Sequence, residues 1–116
     1  MYKEDEARAV LQDVETIGIG LWQQKTDIYY KIQELVPKLG KIYENLIALT
    51  QKYQLTEINI EKKLEELKKI VNGLEKKDIV LLADTFNYEV YQTINVYLEI
   101  IKVENEEVYG EISEEC

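Results

Sequence analysis

Apolar residues recur along this chain at steps of three and four. From about Glu4 to Gln24, Ala7, Val10, Leu11, Val14, Ile17, Leu21 and Trp22 trace one stripe of a helix. Acids at positions 4–6 stand where the helix dipole favours negative charge. Gly18 and Gly20 each weaken a helix by about 1 kcal/mol relative to Ala. Their expected use is close approach of a neighbouring helix, with a hinge as the alternative.

From about Asp27 to Tyr53, Ile28, Ile32, Leu35, Leu39, Ile42, Leu46 and Leu49 form an unbroken heptad seam, widened by Val36, Tyr43 and Ile47. Pro37 interrupts its backbone hydrogen bonding but not its register, which predicts one kinked helix rather than two. Thr26 or Asp27 is the expected cap. Gln54–Asn59 reads as a connection. A third helix, from about Glu57 to Lys76, has Ile60, Leu64, Leu67, Val71 and Leu74 as its seam with Ile70 beside it. Its other positions, Glu61, Lys62, Lys63, Glu65, Glu66, Lys68 and Lys69, read as a solvated face laced by pairs such as Glu65–Lys69.

The fourth segment runs from Asp78, a good cap, to Val103. Ile79, Leu82, Ala83, Phe86, Val90, Thr93, Ile94, Tyr97, Ile100 and Ile101 fall within an arc of roughly 120°. Val80, Tyr91 and Leu98 widen it. Leu81 and Tyr88 lie off the arc and need another partner. The boundary acids Asp84 and Glu89 read as solvated; the alternative is a buried acid bonded to a tyrosine hydroxyl. The tail 104–116 holds six glutamates and no basic residue, and is expected to fray. The alternative is a fold-back of Val108, Tyr109 and Ile112 over Leu81 and Tyr88.

The expected architecture is therefore all-α. It is an up-down antiparallel four-helix bundle with a kinked second helix, one domain over residues 1–103, and an acidic tail over 104–116.

Composition narrows the function. The net charge of −9 repels nucleic-acid phosphate and anionic lipid, so neither nucleic acid nor membrane is an expected partner. The single cysteine, Cys116, cannot close an internal disulfide, and the charged start lacks a signal-peptide core. No run reaches the ~20 apolar residues of a membrane span. The expected location is cytoplasmic.

The chain has no histidine. That removes the commonest general base, the commonest zinc ligand and every Ser-His or Cys-His pair. Gly18-Ile19-Gly20 sits inside a helical pattern and is not a phosphate loop. Glu75-Lys76-Lys77-Asp78 matches one E-x-x-D fragment of the all-α nucleotide pyrophosphatases, which hold Mg²⁺ on helical carboxylates. The companion E-E-x-x-E is missing: Glu65 and Glu66 are followed by Lys69. No catalytic, cofactor or metal residue is assigned.

Asp78-Ile79-Val80-Leu81-Leu82-Ala83-Asp84-Thr85-Phe86-Asn87-Tyr88-Glu89 resembles a pattern, D-x-V-L-L-A-D-x-x-x-Y-E, of small uncharacterised bacterial helical proteins. In size, acidity and helicity the chain is also similar to flagellar export chaperones, a likeness that implies a non-enzymatic, chaperone-like role. Nine tyrosines suit bundle rims and interfaces. Tyr30, Leu81, Tyr88 and Tyr91 are the candidate partner-binding residues, and a homodimer is one form such binding takes. The alternative class is a Mg²⁺-dependent carboxylate enzyme. A further reading is an acidic surface that attracts a basic protein.

Overall fold

The structure, a computed structural model, describes residues 4–23 and 26–115, with side chains as far as Glu104. Helix α1 spans Glu4–Trp22, α2 Ile28–Lys52 and α3 Ile60–Lys76. Helix α4 opens as Ile79–Asp84, widens into a π-helical stretch at Thr85–Val90 and continues as Tyr91–Glu115. No strand occurs among the described residues. Helix α1 packs on both α2 and α4, while α3 joins α2 to α4.

The α2 seam is buried from Ile28 to Leu49 without exception, together with Tyr43. Pro37 lies inside this helix, on its exposed side. A solvent-facing proline frees a carbonyl that water can satisfy, so the helix continues through it. Asp27 makes no side-chain cap; its carboxylate lies 3.5 Å from Lys31 Nζ instead. Asn59 caps α3 by accepting from the Lys62 amide, and Asp78 caps α4 by accepting from the Leu81 amide. Between them Lys77 takes a left-handed conformation (φ 51°) that ends α3, and Tyr29 donates its hydroxyl to the Lys77 carbonyl.

Three expectations are corrected. Trp22 is exposed rather than part of the α1 stripe, and so is Val80 in α4. None of the five α3 seam residues is fully buried: Ile60, Leu67 and Leu74 are half-buried, and Leu64 and Val71 are exposed. The helix has turned so that Glu66, Ile70 and Gly73 face inward. The helix expected to end at Val103 runs on to Glu115. The side chains of Val108, Tyr109 and Ile112 lie outside the described residues, as does Cys116.

The π stretch explains the phase of α4. Its core residues Leu82, Phe86, Val90 and Ile94 step by four three times. A regular helix drifts about 40° at each such step, because four residues overshoot a 3.6-residue turn. Wider π turns between Phe86 and Val90 offset part of this drift. Thr85 donates its hydroxyl to the Leu81 carbonyl at 2.7 Å, and Asn87 donates its amide to the Ala83 carbonyl at 2.9 Å. Both bonds satisfy carbonyls of the preceding turn by side chains.

Asn87 also donates to the Gly18 carbonyl of α1, at 3.3 Å. A methyl group at Gly18 would fall on the Asn87 carboxamide. The glycine therefore serves close helix approach. Gly73 does the same for α3, where an added Cβ would come within 2.6 Å of Leu82.

Replacing Gly18 by Ala gains helix propensity but displaces Asn87 from both its bonds. We expect Gly18→Ala to lose about 1–2 kcal/mol in chemical denaturation. In the background of Asn87→Ala the same substitution should be neutral or stabilising.

Candidate functional site

Two features stand out from the packing: a polar cluster inside the fold and an aromatic ridge outside it. The cluster centres on Glu66, which is 1% exposed. Its carboxylate accepts from the Tyr43 hydroxyl at 2.6 Å, the Thr93 hydroxyl at 2.7 Å and Lys63 Nζ at 3.1 Å. Lys63 donates to Thr93 Oγ1 as well, at 2.9 Å. Three helices thus meet on one carboxylate. Burial, and then the negative charge of Glu66, push the Tyr43 phenol well above its ordinary range. One turn along α3, Lys69 donates to Glu89 of α4 at 2.9 Å, and that bond holds the ammonium above its usual value. This pair replaces the expected Glu65–Lys69 pair.

The cluster is closed. Both Glu66 oxygens are bonded. Such a carboxylate fixes how α3 is rotated. The buried acid bonded to a tyrosine, considered for Asp84 or Glu89, is found at Glu66 instead. Asp84 is exposed and Glu89 is half-buried against Lys69. Thr93 and Tyr43 were the available signal, since polar tips on apolar stripes require buried partners.

The ridge borders the seam between α1 and α4. Ile19 (57% exposed) and Trp22 (58%) come from the end of α1, and Tyr88 (61%) and Tyr91 (36%) from the π stretch and the turn after it. Between the helices runs an open groove of about 350 Å³, lined by Val14, Glu15, Ile19, Phe86, Asn87 and Tyr91. Asn87 closes its floor by bridging to Gly18. Tyr88 lies in the π stretch and Tyr91 directly follows it.

Of the four sequence candidates, Tyr91 lines this groove and Tyr88 is exposed three residues before it. Leu81 is half-buried one π stretch earlier, and Tyr30 is exposed on α2, a different helix. Trp22 was missed because its spacing extends the α1 stripe, and Ile19, off that stripe, is a lone apolar residue on the helix's outer side. A larger cleft, about 650 Å³, lies between α1 and α2, but Glu6, Asp13, Lys38, Lys41 and Glu44 line it with opposed charges that suit water. An apolar hollow of about 420 Å³ at Tyr53, Leu55, Ile100 and Val103 adjoins Glu104, where the described side chains end.

Glu75 is exposed at the end of α3 and Asp78 is committed to capping α4. No group of three or more acidic or cysteine side chains suited to a metal ion occurs among the described residues. No helix there is long and apolar enough to cross a membrane. Comparison with protein-family models, curated proteins and solved structures returns no match to this chain.

Removing the Glu66 carboxylate leaves two hydroxyls and an ammonium facing one another. Glu66→Ala should cost about 3–5 kcal/mol in urea unfolding. Tyr43→Phe should cost about 1–3 kcal/mol. The two proteins should also differ at high pH. Above about pH 10 unfolded tyrosine loses a proton that folded Tyr43 keeps, so wild-type stability falls as pH rises. Tyr43→Phe should show a shallower alkaline decline over the same range.

Proposed function

We propose that this chain is a non-enzymatic protein-interaction module, a four-helix bundle of up-down antiparallel order with a bend at Pro37, working in the cytoplasm. Its likeness to small bacterial helical proteins and its chaperone-like character belong to the same proposal. The observation that carries it is the ridge of Ile19, Trp22, Tyr88 and Tyr91 beside the α1–α4 groove. Trp and Tyr supply most of the binding energy at protein interfaces, where a large apolar body is buried and a polar tip finds a partner. A monomer gains nothing by exposing Ile19 and Tyr91 side by side at an open groove.

The chemistry of the chain supports the same reading. With no imidazole, its general acids and bases are carboxylates, tyrosines and lysines. Among the described residues the most deeply buried carboxylate, Glu66, is fully bonded inside the fold. Nothing specific favours the magnesium-dependent alternative.

Immobilised wild-type chain should retain a partner from the native cell extract that an Ile19→Glu, Tyr91→Ala variant, matched to wild type by circular dichroism, fails to retain. Equal retention by both proteins would refute the ridge as the binding surface. Millimolar Mg²⁺ should leave the thermal midpoint unchanged; a clear rise would favour the carboxylate enzyme.

A further inference from the structure

The charges around the ridge are one-sided. Among the described residues of α1 the only cation is Arg8, and it is paired with Glu4 at 2.8 Å. Residues 79–101 of α4 contain Asp84, Glu89 and Glu99 and no lysine or arginine. The lysines collect on α2 and α3 instead, where Lys31, Lys63 and Lys69 meet acids. Glu15 lines the groove, and exposed Asp84 stands one turn before Tyr88. Among the described residues, the last turn of α1, which ends at Trp22, carries no basic residue.

From this charge pattern we infer that the α1–α4 groove docks a basic amphipathic helix of a partner protein, its apolar face seated on Ile19, Trp22 and Tyr91 and its lysines or arginines turned to Glu15 and Asp84. This rests on the interaction reading above and adds the chemistry of the partner. A helix is the fitting form because an open apolar trough between two helices accepts residues spaced i, i+4 and i+7 along one side. A basic rim is the fitting charge because, among the described residues, Glu15 lines the trough and no lysine or arginine does. A second copy of this chain is the poorer occupant: it would bring the same acidic rim against itself, in a molecule of net charge −9.

Trp22 is the only tryptophan, so its emission reports on the ridge directly. The probe is a synthetic helical peptide of about 15 residues, long enough to form a helix on binding, with leucines at i, i+4 and i+7 and lysines flanking them. Two further peptides serve as comparisons: one with glutamates in place of the lysines, and one of the basic composition with its apolar face scrambled. The lysine peptide should shift Trp22 emission to shorter wavelength in a saturable titration. It should bind at least tenfold tighter than either comparison peptide and weaken as salt is raised. Tyr91→Ala should weaken it about fivefold or more with unchanged circular dichroism. Glu15→Lys with Asp84→Lys should abolish the preference for lysine over glutamate.

Equal binding of the glutamate peptide would overturn the charge assignment while leaving the interaction reading standing. Equal binding of the scrambled peptide, or an unmoved Trp22 emission, would overturn the docking of a helix here. A dimer in light scattering that Tyr91→Ala dissociates would overturn it in favour of a second copy.

Discussion

The Asn87 carboxamide, wedged between its own helix and the bare backbone of Gly18, is the contact on which the rest of this structure depends. It bonds at once to the Ala83 carbonyl within α4 and to the Gly18 carbonyl of α1. The first bond supports a π-helical stretch, whose wider turns offset part of the helical drift between Phe86 and Val90. The second brings the end of α1 against that stretch. A regular α-helix through 85–90 would rotate everything beyond it by roughly a quarter turn. Tyr91 would then leave the groove edge, and Thr93 would leave the Glu66 carboxylate.

The buried cluster does for α3 what Asn87 does for α4. Three donors converge on Glu66, so α3 turns a glutamate inward and leaves Leu64 and Val71 partly in water. On area alone the opposite rotation would be preferred, since a buried leucine contributes roughly 1.5–3 kcal/mol. A carboxylate satisfied by Tyr43, Thr93 and Lys63 offsets that preference and, unlike apolar contact, accepts only one rotation. Specification of register is the best-attested use of such buried polar groups.

Much of this was legible in the residues. The α2 seam from Ile28 to Leu49 was read and is buried throughout, because its heptad is unbroken and its flanks are polar. The α4 core reads as an arc, and its members Leu82, Ala83, Phe86, Val90, Thr93, Ile94, Tyr97 and Ile101 are buried. Other elements were hidden for identifiable reasons. The step of four repeated at Leu82, Phe86, Val90 and Ile94 signals a π stretch, yet a 100° wheel spreads that drift into a broad arc and conceals it. Glu66 sat in a run of charged residues, and only Tyr43 and Thr93, far away in sequence, reveal that it is wanted inside. Trp22 fits the α1 spacing, yet it is the last residue of the helix and is exposed.

The central claim is that Asn87 joins the π stretch to Gly18, and proton NMR tests it most directly. The account predicts strong Overhauser contacts from the Asn87 side-chain amide protons to the Gly18 α-protons, with Leu82 and not Val80 in contact with the core. Absence of the Asn87–Gly18 contacts, together with regular α-helical connectivity from Thr85 to Val90, would contradict it.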